Sequence, residues 1–371
     1  MSAVRLFAAC SPGEVRVAAV DDLGLLDYAL WRPGTPDGLG DLYRGCMGAR
    51  MRAMAGAFVH LGTGADGFLP DSEGTDGRSE GESIGVRVVR TPQGGKGPRL
   101  SARLRPDEQA LIGSGPPGLL RRGEGALARL AALHPEAPVL VDDAAVAASL
   151  RPGLGERLCL APAAFDAALA GAVAALAEPV ADVPGGARLS IHPTPALTAI
   201  DIDLGAGSAA REGKARSQLA ANLALLPLLA RQIRLRNLGG AILVDFAGMA
   251  AGKRPRLAPA LTTALAEDPL KPRLLGFTAL GFAEIVRSRR AAPLSEMLQG
   301  PLATALAALR AADAEARANP ARRVGLVVGL AVAGALRADA VALQDWRRRQ
   351  GYDLPLRADP TLPALGWRIE V

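Results

Sequence analysis

Cysteine is scarce in this chain. Cys10, Cys46 and Cys159 are its only three, far apart and without a CxxC pair. A zinc ribbon and a disulfide framework are therefore not indicated, and the pattern suits a reducing cytosol. Long apolar runs are missing too. The longest, residues 324–336, contains three glycines and is too short to span a bilayer, so the expectation is a cytoplasmic protein without a membrane span. "MSAVRLFAAC" loosely resembles a lipoprotein cleavage site, but few apolar residues precede Cys10, and the stretch reads as a first strand. Lysine occurs only at positions 96, 214, 253 and 271, so the basic charge is almost all arginine. Aromatics make up 4%, which makes each ring worth explaining. No internal repeat or long low-complexity tail is evident.

What is present is an ordinary globular balance, 49% hydrophobic and 22% charged over 371 residues, enough for two or three domains. A net charge of +6 suits an acidic partner such as nucleic acid. Residues 3–32 alternate like a hairpin turning at Ser11-Pro12-Gly13. From 39 to 103, five short strand-like pieces separated by glycines predict a small barrel of the oligonucleotide-binding type. Residues 104–190 are Ala/Leu-rich and helical in period, interrupted by the strand-like "APVLVDD". "RLSIHPTPALTAIDIDLG" reads as a hairpin. The stretch "RSQLAANLALLPLLARQIRLRN" reads as a long helix ending at Leu238-Gly239-Gly240, with Arg231, Arg234 and Arg236 suited to its C-terminal dipole. "AILVDF" follows as a buried strand, "APALTTALAED" as a helix, and "RLLGFTALGFAEIVRSRR" as a strand-turn-helix unit. Residues 291–320 are helical, and the remainder is a small α/β cap.

The carboxylates raise the functional question. In "AIDIDLG" the strand period sends Ile200, Ile202 and Leu204 to one face and Asp201 and Asp203 to the other. "GGAILVDF" delivers Asp245 at the end of a run with no other polar side chain. Like charges so placed repel unless a cation lies between them. Magnesium suits them, because it takes one or two carboxylates and keeps several waters. On pattern alone a solvated strand end, with Asp245 on an arginine, stands level with the metal. A rival reading takes "DIDLGAG" as the phosphate loop of an actin-like ATPase, but the other loops of that fold are not evident.

Three stretches, "TPALTAIDIDLG", "ARQIRLRNLGGAILVDF" and "GFTALGFAEIVRSRR", resemble in words, order and spacing the catalytic core of the ribonuclease E/G family of bacterial endoribonucleases. "LGDLYRGCMGARMRAMAGAFVHLGTGADGFLPD" resembles that family's S1 domain, and "CSPGEVRVAAVDDLGLLDYAL" its opening strands. The resemblance implies an α+β chain of several subdomains. An RNase H-like subdomain (1–38 and 104–190, trimmed) would carry an inserted S1 barrel (39–103). A DNase I-like catalytic subdomain (191–290) would follow, then a helical connector and small C-terminal α/β domain (291–371).

Carried over by position, the resemblance makes Asp201 and Asp245 catalytic magnesium ligands. Asp203 stands at a third metal position that is usually Asn, and Gly248 where a second acid is common. It makes Phe58 and Phe68 RNA-stacking rings and Arg90 and Lys96 backbone-holding cations. Arg122 is the remnant of a 5′-phosphate sensor whose threonine is missing. The paired-cysteine zinc link has no counterpart, so the expectation is a monomer or a zinc-independent dimer. His60, His134 and His192 lack a Cys or carboxylate partner at nucleophile spacing and are expected to be structural. The expected function is Mg²⁺-dependent cleavage of single-stranded RNA in processing or decay. The alternative is an RNA-binding protein of the same fold with weak or lost catalysis.

Overall fold

The computed structural model describes residues 3–75, 77–183, 186–205 and 214–370. They form two compact units, one of residues 37–124 with 288–292, the other of the remainder. Among the described residues no helix is long and apolar enough to cross a membrane.

The smaller unit is a closed five-strand barrel. Strands Gly56–His60, Gly67–Pro70, Arg99–Ser101, Ser83–Arg90 and Leu42–Met51 pair in that order, and the last returns to the first. Val59, Leu69, Ile84, Val86 and Leu100 alternate inward to fill it. A sixth strand, Gly118–Arg121, pairs with the outside of Leu42–Met51 and carries the unit past residue 103.

The larger unit contains three sheets. Strands Arg5–Ser11, Glu14–Asp21 and Gly24–Trp31 form an antiparallel meander that Val139–Val141 and Leu158–Leu160 extend in parallel. A three-stranded sheet of Gly325–Val328, Leu356–Ala358 and Trp367–Glu370 packs with helix Gly300–Ala318 over a core that includes the fully buried Trp346. Asp143 links two of these layers. It caps helix Ala144–Leu154 by accepting the Val146 amide at 2.9 Å and pairs with Arg348 at 2.9 Å and Arg349 at 2.7 Å. Burial raises its pKa, but the amide and the guanidiniums outweigh burial and hold the carboxyl below its usual range. A depressed folded pKa contributes stability above about pH 4, lost as pH falls through the lower folded value. Asp143→Asn should therefore lower the urea midpoint at pH 7 and flatten its decline below about pH 4. An unchanged acid limb would contradict this.

The sheet that matters most has six strands in the order Val180–Val183, Ala187–Pro193, Leu197–Asp203, Gly240–Asp245, Ala283–Arg287, Arg273–Phe277. It begins eleven residues before 191, the start expected from the sequence. Helix Lys214–Leu235 crosses between the parallel strands Leu197–Asp203 and Gly240–Asp245, with Leu225, Leu226, Leu229 and Ile233 on its buried face. It stops short of Leu238-Gly239-Gly240. Asn237 takes the left-handed conformation (φ 47°) and the Leu238 amide donates to the Ile233 carbonyl, closing the last turn. The strand-turn-helix expected over "RLLGFTALGFAEIVRSRR" is instead a hairpin, Arg273–Phe277 with Ala283–Arg287. Ala283, Ile285 and Arg287 alternate inward at period two, which a helix cannot match.

Candidate catalytic carboxylates and nucleic-acid interface

Strand Leu197–Asp203 buries Thr198, Ile200 and Ile202 and exposes Ala199, Asp201 and Asp203. Asp201 is the direct register partner of Asp245 on the neighbouring parallel strand. Register partners point to the same face, so the two side chains leave the sheet side by side from strands about 4.8 Å apart. The run that isolates Asp245 as its only acid thus ends beside the exposed acid of its neighbour. Asp203 lies two residues further on and accepts the Gly205 amide at 2.9 Å, closing the turn out of the strand. The rival phosphate loop falls partly on residues 206–207, which lie outside the described residues.

Asp245 is not alone with Asp201. Arg254 pairs with its Oδ1 at 2.6 Å; the guanidinium is 12% exposed and the carboxylate 39%. Arg254 also donates from Nε to the Met249 carbonyl (2.9 Å) and from Nη1 to the Gly281 carbonyl (3.1 Å). The arginine is thereby fixed from three sides and holds the carboxylate in one orientation. This is the arginine partner that one reading of the pattern expected for Asp245, although nothing in the sequence singled out Arg254, nine residues further on. Asn222, fully buried on the crossover helix, donates to the Ala247 carbonyl at 3.0 Å and ties the exit of the strand to that helix.

Among the described residues no group of three or more His, Cys, Asp or Glu could hold a metal. A metal at this strand end would have only the Asp201–Asp245 pair to hold it, with one oxygen of Asp245 engaged by Arg254. Two solvent-accessible carboxylates would suit magnesium, which takes few protein ligands, better than a metal needing a closed cage. Asp203 is not gathered into a third ligand by contact.

The barrel brings three of the expected RNA contacts, Phe58, Phe68 and Arg90, into a single row. Phe58 faces Phe68 across one strand pair, Phe68 faces Arg99 across the next, and Arg99 faces Arg90 across a third. The rings stand edge to face, 5.6 Å between centroids, outside the buried core, and Phe58 is 37% exposed. Burial, and then the nearby guanidiniums of Arg99 and Arg289, lower the pKa of Arg90. Like charges gathered beside aromatic rings suit a polyanion that stacks. Arg99 was missed in the sequence because only barrel register brings it between Phe68 and Arg90. Lys96 is exposed at the turn before strand Arg99–Ser101, its amide bonded to Gln93.

The other cations are engaged. Arg122 pairs with Asp41 at 2.6 Å, Arg231 holds Asp21 through two bonds, Arg234 holds Asp27, and buried Arg236 donates to the Leu176 and Glu178 carbonyls. The arginines of that helix end thus brace the fold rather than simply complement a dipole. Two histidines do meet acids: His60 pairs with Asp66 at 3.0 Å and His134 lies 3.7 Å from Asp27.

Comparison with known proteins falls on the same sheet. Residues 161–290 match the model of the Ribonuclease E/G family. The chain is 33% identical over 125 residues to Ribonuclease E of Synechocystis sp., covering 33% of this chain and 18% of that protein. It is 36% identical over 118 residues to Ribonuclease G of Escherichia coli K12, covering 32% and 24%. It is 36% identical over 114 residues to Ribonuclease G of Haemophilus influenzae, covering 30% and 23%. The matches thus span about a quarter or less of these relatives' length.

Proposed function

We propose that the chain, whose residues 161–290 match the Ribonuclease E/G family, is a magnesium-dependent endoribonuclease acting on single-stranded RNA. The observation that carries the reading is the alignment of Asp201 with Asp245 inside the matched segment, both on the accessible side of the sheet. The two carboxylates would hold Mg²⁺, with Asp203 near enough in sequence to act through its water shell. Bound magnesium supplies an activated water and neutralises charge on the phosphodiester. Arg254 keeps the Asp245 carboxylate fixed, so no side-chain ordering is needed when substrate arrives. Water attacks phosphorus as the 3′-oxygen leaves, giving a 5′-phosphate and a 3′-hydroxyl.

The barrel, read as S1-like, holds the strand. Its rings stack bases, and Arg90, Arg99 and Lys96 hold phosphates. The mixed sheet containing residues 5–31 and 139–160 is read as the RNase H-like subdomain, and the six-stranded sheet as the DNase I-like one. Phe58→Ala should weaken RNA binding by about 1–3 kcal/mol per lost stack, roughly 5- to 150-fold, with the melting curve unchanged. Fluorescence anisotropy reads this, and equal affinity would remove the ring from the interface.

The test is incubation of an A/U-rich single-stranded RNA with Mg²⁺ and with EDTA, with product ends mapped. Cleavage with Mg²⁺ alone and 5′-phosphate products are expected. Tight binding without cleavage would move the chain to the alternative, an RNA-binding protein of this fold.

A further inference from the structure

The segment leaving Asp245 forms a second feature beside the carboxylates. Residues 251–257 wind as a 3₁₀ helix. Three residues per turn bring side chains at i and i+3 onto one face, here Lys253 and Arg256, about 6 Å apart along the axis. Arg254, between them, turns the other way onto Asp245. Lys253 and Arg256 line a cavity of about 180 Å³ with Gln218, Gly248, Met249 and Ala250. Both cations are exposed, and among the described residues neither pairs with an acid.

The turn is shaped around this cavity. Gly248 has φ 68°, and a Cβ there would lie 2.5 Å from the Gln218 amide nitrogen. Any larger residue, an acid included, would be strained by the backbone and would push the Gln218 carboxamide off the wall. The cavity therefore keeps two cations and an amide donor with no carboxylate from this turn to neutralise them. Such a lining accepts a phosphate and repels none of its charge.

We propose that this cavity is a phosphate subsite for the RNA strand, taking a backbone phosphate adjacent to the bond cut at Asp201 and Asp245. It rests on the endoribonuclease reading for its substrate. The Lys253 ammonium and Arg256 guanidinium hold the phosphate oxygens, and the Gln218 amide donates beside them. Because Arg254 and these cations share one rigid turn, a strand seated in the subsite is placed in register with Asp245.

The experiment uses the full chain, wild type and K253Q/R256Q, with single-stranded RNAs in which one linkage at a time is an uncharged methylphosphonate. Binding is read by anisotropy and cutting by gel. For wild type, one linkage near the cut should cost roughly tenfold or more in affinity when neutralised. The double variant should bind unmodified RNA that much more weakly and be indifferent to that linkage. Its salt slope should fall by about 0.7 for the released phosphate. Equal sensitivity of both proteins at every linkage, or an unchanged salt slope, overturns the subsite. If wild type binds with this pattern but never cuts, the subsite stands and the catalytic reading falls. If wild type does not bind RNA, both fall. Matching melting curves exclude misfolding, since both side chains are exposed.

Discussion

Asp201→Asn and Asp245→Asn are each expected to cleave RNA about 10³-fold more slowly than wild type while binding it equally well. A metal at a phosphodiester contributes several kcal/mol of charge stabilisation, and about 4 kcal/mol corresponds to that factor. With two carboxylates in register and the metal proposed between them, the loss of either would leave a single anionic ligand. Asparagine preserves side-chain size and one oxygen, so packing stays and charge goes. Asp203→Asn should cost much less, because its described bond is to the Gly205 amide and an asparagine oxygen accepts it as well. Single-turnover cleavage with parallel binding measurements separates these cases. Equal activity in Asp245→Asn and wild type would place the chemistry elsewhere.

Arg287→Met is expected to destabilise the larger unit by about 3–5 kcal/mol, the usual cost of leaving one member of a buried ion pair alone. Arg287 and Asp268 are each 4% exposed and meet at 2.7 Å. The same guanidinium donates to the Asn237 side chain at 3.0 Å and the Leu238 carbonyl at 3.1 Å. It thus joins the edge hairpin, the end of the crossover helix and the segment after helix Ala258–Leu265. Arg287→Lys should not restore stability, since one ammonium cannot replace a planar fork making four bonds. Urea unfolding measures the loss. A change under about 1 kcal/mol would show the pair to be dispensable.

How much of this could be read from the sequence follows the range of the interactions. The alternation that exposes Asp201 and Asp203 is local, and the structure keeps it. The isolation of Asp245 in an apolar run was equally visible, but its pairing with Asp201 depends on parallel register across a 22-residue helix. An arginine on Asp245 was one of the two readings of the pattern, but Arg254 could not be picked out, because its reach to Asp245 needs a tight turn and two carbonyls, one of them at Gly281. Arg99 was missed for the same kind of reason. The hairpin misread as a helix shows a different failure. Phe282, Val286 and the arginines that follow, Arg289 and Arg290, mask the period-two burial of Ala283, Ile285 and Arg287. A buried arginine reads as a surface residue until its acid is found.

The most direct test of the central claim is to count divalent ions at the carboxylate pair. Electron paramagnetic resonance titration with Mn²⁺ in place of Mg²⁺ should find one ion bound per wild-type chain and none in Asp201→Asn/Asp245→Asn of the same fold. Equal Mn²⁺ binding in both proteins would contradict the assignment of Asp201 and Asp245 as the metal site.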